Sequence, residues 1–242
     1  MWLWMPALAR PGPGKRLNPL WRVFLSALML CAALTGCAKT APAASSDVAE
    51  LSGAAELTDV AGHSQEAYIL EGLQLGFLPA PSDGRFQPDE SATREDFLVA
   101  LWRLGGQPEV SDKGIPSRWN PALRKALAWA DAAGCLDSAA SVKTFAPDEP
   151  VTRLAAMESL YAYNGNVSGV EAMLTGIYDD AFRDSAELSA ESKRALYWGF
   201  YNVLIREKEP DKISPSEALS RGDMAEALIR YWSDFQSEPP QN

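Results

Sequence analysis

A chain of 242 residues with 47% hydrophobic side chains can bury one large core or several small ones. Its formal net charge of −10 excludes the broad basic footprint that a nucleic-acid partner needs. Three cysteines and a single histidine leave little material for a disulfide framework or a thiol–imidazole pair.

The chain opens on a text of its own. Residues 1–36 carry Arg10, Lys15, Arg16 and Arg22 with no acid, followed by an apolar run from Val23 to Leu34. A basic segment ahead of a short apolar run predicts an export signal, because the run is too short to span a bilayer. It ends at Leu34-Thr35-Gly36-Cys37, small residues before a cysteine, which resembles the bacterial lipobox. That resemblance implies cleavage before Cys37 and acylation of its thiol, a lipid anchor that holds the chain to the outer face of a membrane. One acyl chain binds only marginally, so stable anchoring takes more than one. Loss of the signal removes four of the 22 basic residues and none of the 32 acids, so the net charge goes from −10 to −14. An anionic ligand must then be met by a local basic spot. Only Cys135 remains in the mature domain, in an apolar setting that reads as core. The only histidine, His63, lies in a different segment.

Residues 37–62, rich in Ala, Ser and Thr, read as a tether. Ser64 is the predicted N-cap of a helix through Leu75, closed by Gly76. Thr93 caps the next, Arg94 to Leu104, with Asp96 in the capping-box position and Gly105-Gly106 as the stop. Asn120-Pro121 starts a third helix that ends at Gly134, and Thr152 caps a fourth, Arg153 to Tyr163. A short helix is expected over 168–174. Ser189 caps a fifth, reaching about Leu204, and Ser220 caps the last, Arg221 to Trp232, before a frayed tail at 235–242. The class is all-α, arranged as three helical hairpins over 63–106, 112–165 and 178–234.

These hairpins repeat one text. Gly84 to Phe97 reads GRFQPDESATREDF, Lys143 to Met157 reads KTFAPDEPVTRLAAM, and Lys212 to Met224 reads KISPSEALSRGDM. Aligned on Arg94, Arg153 and Arg221, the chain superposes Phe86, Phe145 and Ile213, and also Pro88, Pro147 and Pro215. The unit helix–Gly–loop–Asp-Gly-x-Phe-x-Pro-Asp–Thr-Arg–helix resembles the S-layer homology domain. The first copy matches through Leu75-Gly76-Phe77-Leu78, Asp83 to Asp89 and Ala92 to Phe97. The second does so through Ala133 to Leu136, Thr144 to Asp148 and Val151-Thr152-Arg153. The third keeps Phe182-Arg183-Asp184, Ile213-Ser214-Pro215 and Leu219 to Asp223. The family implies a pseudo-threefold helical bundle with grooves between its prongs. It also implies non-covalent attachment to anionic, often pyruvylated, cell-wall polysaccharide or peptidoglycan. Through the Thr-Arg motif, Thr93, Arg94, Thr152, Arg153, Ser220 and Arg221 carry over as polymer-binding residues. Two departures stand out. The Asp-Gly turn is missing from copies two and three, and the closing acid, Asp96 and Asp223, is Ala155 in copy two. The first copy is therefore expected to hold the best groove and the second the poorest.

The motif suits an anion on physical grounds as well. A cation at the first position of a helix meets the positive end of its dipole, at a cost of ~0.3–1 kcal/mol. Three arginines there need a partner. Unpaired amides at the helix start, the cap hydroxyl and a guanidinium fork could converge on one carboxylate or phosphate. The plainer explanation is pairing of each arginine with a nearby acid, or a shared structural role. Among aromatics, Trp102, Trp129, Trp198 and Trp232 read as core, while Trp119 in the polar loop Ser117 to Asn120 is the candidate for stacking on sugar. Tyr178-Asp179-Asp180 offers too few ligands for a cation, and neither a metal nor a cofactor is assigned.

The leading expectation is a non-enzymatic, lipid-anchored envelope protein that ties membrane to wall. The alternative is a degenerate repeat scaffold that binds another envelope protein. A hydrolase with paired carboxylates ranks below both, since the plentiful acids form no distinctive constellation.

Overall fold

The computed structural model describes residues 57–168 and 182–236. The export signal, the tether up to residue 56, Cys37, nearly all of the helix expected at 168–174, Tyr178-Asp179-Asp180 and the tail after 236 lie outside the described residues.

Among the described residues six α-helices carry the fold: α1 Glu66–Gln74, α2 Arg94–Leu104, α3 Pro121–Ala133, α4 Arg153–Asn166, α5 Ala190–Tyr201 and α6 Arg221–Tyr231. No strand occurs among the described residues, and no described helix is long and apolar enough to cross a membrane. Five helices start where a side-chain oxygen can take an orphan amide. Thr93 is extended and its Oγ1 accepts from the Asp96 amide at 3.0 Å, while the Asp96 carboxylate accepts from the Thr93 amide at 3.1 Å. Asn120, Thr152, Ser189 and Ser220 make the same third-residue bond to Leu123, Ala155, Ser192 and Asp223. The first helix departs from expectation. Its N-cap is Gln65, with no side-chain cap, and the Ser64 hydroxyl is turned to the Gln65 side chain at 2.7 Å.

The helices do not pair as hairpins within each copy. Instead α2 packs on α3, α4 on α5, and α6 returns to α1, so each pair joins the second helix of one copy to the first helix of the next. Three extended segments just ahead of α2, α4 and α6 meet where the pairs converge. Ala92 N–H donates to Leu219 O, Leu219 N–H to Val151 O, and Val151 N–H to Ala92 O, each at 2.9 Å. The triangle is closed, and its three side chains are buried. Each of these residues lies two positions before an aligned arginine, so the triangle fixes Arg94, Arg153 and Arg221 in one register. Around it lies an apolar core in which Phe86, Ile213, Leu123, Leu127, Met157, Leu160, Leu196 and Leu228 are almost fully buried.

Residues 57–62, read from sequence as tether, belong to the fold. Thr58 N–H donates to Gly84 O at 3.1 Å, and Val60 is buried. The Asp59 carboxylate accepts from the amides of Phe86 and Gln87 at 2.9 and 2.8 Å.

Candidate functional site

The helix starts that were expected to stand open are occupied by the protein's own backbone. The N1 amides of Arg94, Arg153 and Arg221 donate to the carbonyls of Glu149, Glu217 and Glu90 at 2.8, 2.9 and 2.8 Å. The N2 amides of Glu95, Leu154 and Gly222 donate to Pro147, Pro215 and Pro88 at 3.1, 3.0 and 2.8 Å. The hydroxyls of Thr93, Thr152 and Ser220 take the third amide of each helix. Each helix start is thus sealed by the Pro-x-Glu turn of a neighbouring copy, and no amide nest is left for an anion. This sealing explains why the proline turn and the cap recur together; it uses the backbone carbonyl two residues after the proline, which does not itself require an acid.

The three arginines reach across the same junctions. Arg94 Nη2 lies 2.5 Å from Asp137 Oδ2, and its guanidinium is 5.4 Å from the centroid of the Phe145 ring. Arg221 donates from Nε to Phe86 O at 2.7 Å, pairs with Asp96 at 3.0 Å and lies 5.0 Å from the Phe86 centroid. Arg153 donates from Nε to Ile213 O at 2.8 Å and from Nη2 to Arg206 O. Each guanidinium therefore meets the residue eight positions before the arginine of another copy: Phe145, Ile213 or Phe86. This is the shared structural role.

Their electrostatics differ. Arg94 and Arg221 each hold a carboxylate, whereas Arg153, 2% exposed, makes no ion pair among the described residues. Burial pulls its proton affinity down, and the more distant charges of Asp223, Glu217 and Asp184 oppose that. Beside Arg153 opens a cleft of about 200 Å³ lined by Val203 to Lys208, Asp223 and Glu226. The hollow beside Arg94, lined also by Asp137 and Phe145, is about 10 Å³.

Trp119, the expected stacking residue, is half-buried. It stands edge-on to Phe145 at 6.1 Å between centroids, and the Arg118 guanidinium lies 5.2 Å from the centroid of its ring. Trp102, Trp129 and Trp198 are buried in the core. Burial pushes the Cys135 thiol up to about 11, which removes its nucleophilic form at neutral pH.

Two features of the junctions were readable but missed. Asp184 accepts from the amides of Ile213 and Ser214 at 3.1 and 2.8 Å, as Asp59 does from Phe86 and Gln87. Leu57-Thr58-Asp59 is thus the counterpart of Phe182-Arg183-Asp184. Gln87 and Ser214 both sit in the left-handed region, at φ 59° and 52°, where paired amides can grip one carboxylate. In copy two Asp112 instead ion-pairs with Arg124 at 3.0 Å, and Ala146 is not left-handed. The second missed feature is Val203. It ends α5 at φ 58°, where Gly76 and Gly134 end α1 and α3 at φ 74° and 65°. A β-branched residue there is strained.

The comparisons are narrow and point one way. No curated protein matches the chain. The S-layer homology domain matches residues 56–98, which include Asp59, the Phe86 turn, Thr93 and Arg94. Domains of this kind generally mediate cell-wall binding, which associates the chain with the cell envelope.

Proposed function

We propose that the chain is a lipid-anchored envelope protein whose three S-layer homology repeats, arranged with pseudo-threefold symmetry, bind anionic cell-wall polysaccharide without a covalent bond. Cys37 would carry the lipid and the repeats would hold the wall, so the protein would tie the two together. The observation that carries this reading is the recurrence of one junction. The domain matched at residues 56–98 supplies the first copy, and the aligned residues of the other two form the same amide-to-carbonyl bonds, with each arginine reaching the residue eight positions before the arginine of another copy. A set of units built to one plan supports extending the domain's general role to all three. Thr93, Thr152 and Ser220 serve this function by holding the helix starts, each hydroxyl accepting one backbone amide and keeping its own O–H for polymer.

The competing reading, a scaffold for another envelope protein, draws on the internal pairing of Arg94 and Arg221. Co-sedimentation of the full-length protein with purified, protein-free wall material separates the two. Saturable sedimentation supports wall binding. Full recovery in the supernatant, with a stable protein partner in the envelope fraction, supports the scaffold.

A further inference from the structure

The start of α1 is held differently from those of the other five helices. Thr93, Asn120, Thr152, Ser189 and Ser220 each cap with their own side-chain oxygen. Gln65 does not, because its carboxamide is committed elsewhere. Nε2 donates to Asp223 Oδ1 of α6 at 3.1 Å, and Oε1 accepts from the Ser64 hydroxyl at 2.7 Å. The Gln65 backbone amide turns instead to an imidazole, donating to His63 Nδ1 at 3.2 Å. In α2 the matching amide, that of Thr93, goes to the Asp96 carboxylate at 3.1 Å. At the same place in α1 stands Tyr68, whose ring lies 5.0 Å from the Arg230 guanidinium, so α1 has no acid there for that task. Arg118 and Glu187 occupy the register of His63 in the other two copies and are exposed, since Asn120 and Ser189 cap unaided.

The bond to Gln65 fixes the tautomer of the ring. A ring nitrogen that accepts from an amide carries no proton, so the proton of the neutral ring is on Nε2, which donates to Asp89 Oδ1 at 3.2 Å. Asp89 belongs to the turn whose Glu90 and Pro88 carbonyls take the first two amides of α6. His63 thus bridges the starts of α1 and α6. A proton added at Nδ1 sets one N–H against another and removes the Gln65 bond, while the Asp89 contact becomes an ion pair. The other charged groups where these elements meet are largely engaged. Asp59 holds the Phe86 and Gln87 amides with Arg85 at 3.9 Å, and Glu66 holds the Gly62 amide at 2.7 Å. Arg221 pairs with Asp96, Asp223 with Lys208, and Glu226 with Arg206 and Arg230. Glu90 is exposed. Histidine is the side chain whose charge ordinarily changes between pH 5 and 8, and His63 is the only one in the chain. The hydroxyl and carboxamide caps of the other five helices do not titrate there.

We propose that His63 is a pH-responsive cap of α1. The neutral ring holds the Gln65 amide, and the protonated ring releases it and stays with Asp89. In mildly acidic surroundings the first turn of α1, and with it the Gln65 tie to Asp223, then loosens on α6. The starts of the other helices are unchanged. This device does not depend on the wall-binding reading.

The test uses the full-length protein labelled with ¹⁵N. Long-range ¹H–¹⁵N correlation of the single imidazole at pH 8 should show the proton on Nε2, and a proton on Nδ1 overturns the cap. Hydrogen exchange then reads the helix start, corrected for the intrinsic dependence of exchange on pH. The Ile69 amide, which donates to Gln65 O at 3.0 Å, reports on α1, and the Phe97 amide, which donates to Thr93 O at 3.1 Å, is the reference in α2. Protection of Ile69 relative to Phe97 should fall on the order of 5-fold between pH 8 and pH 5, the size of one lost cap, along the titration of the His63 ring. H63A should show the low ratio at both pH values, and H63N should remove the pH dependence. Circular dichroism establishes that each variant is folded. A ratio in wild type that ignores the His63 titration overturns the proposal, and so does a fall of equal size in H63A or H63N.

Discussion

Replacing Arg94 by alanine separates a strut from a ligand-binding residue. Asp137 is 8% exposed and Arg94 14% exposed at the side chain, so the 2.5 Å pair is largely removed from water. Breaking such a pair from one side strands the other charge and typically costs about 3–5 kcal/mol. Residual exposure lowers this, to about 2–4 kcal/mol, because water reaches part of the site. Loss of the Phe145 contact adds about 0.5–1 kcal/mol. A loss of about 3 kcal/mol in a domain of this size lowers the melting temperature by roughly 6–12 °C. Asp137→Asn keeps the acceptor oxygen that the Ala139 amide uses at 3.1 Å and turns the oxygen that accepts from Arg94 into an NH2 donor, so it removes both the charge and that hydrogen bond. Thermal and urea denaturation of wild type, R94A, D137N and the double variant should give a coupling of about 1.5–3 kcal/mol. Additive losses, or a cost for R94A below about 0.5 kcal/mol, would refute the strut.

Three further outcomes follow from the junctions and their strain. Val203→Gly relieves a left-handed φ that costs an L-residue about 1–2 kcal/mol, against the packing of a side chain that is 45% exposed; a gain of up to about 1 kcal/mol is expected by urea denaturation, and a loss above that size would mean Val203 packs against more than the cleft edge. Gly199→Ala would set a Cβ 2.3 Å from Met157 Sδ and 2.9 Å from its Cγ. Overpacking at that spot should cost about 1–3 kcal/mol, and a neutral result by the same assay would show that the α4–α5 contact gives way. Burial raises the Asp59 carboxyl, but the amides of Phe86 and Gln87, with the Arg85 charge, together outweigh it and hold the pKa below the ordinary value. Its contribution is therefore complete above about pH 4, the unfolded value, and is lost as pH falls through the lower folded value. Asp59→Asn should destabilise at pH 7 and flatten the acid limb of stability against pH below about 4, whereas an unchanged limb would remove Asp59 from the junction.

The helices were legible where a short-range signal exists. Thr93, Asn120, Thr152, Ser189 and Ser220 each take an amide three residues on, and that distance is visible in a linear text. Ser64 misled because its hydroxyl had a nearer partner in Gln65. The pairing of helices was not legible, since an apolar stripe says that a face is buried but not against which neighbour. Repetition revealed the arginines without revealing their partners. Arg94 meets Asp137 43 residues away, and Arg221 meets Phe86 135 residues away, where α6 returns to α1. Each arginine at the first helical position does have a partner, but the amides beside it are sealed by proline and glutamate carbonyls, which no local pattern announces. Ala155 looked like a defect of its own copy and marks instead the junction where Asp137 serves Arg94. The glycine that ends the first helix of each copy has its third counterpart in Val203, hidden because the residue type changed while the backbone did not.

The most direct measurement is co-sedimentation of the full-length protein with purified wall polysaccharide, before and after mild acid removes acid-labile anionic substituents. The account predicts saturable binding to the intact polymer, with loss on the stripped polymer. Equal retention on intact and stripped polymer, or no sedimentation with either, would contradict it.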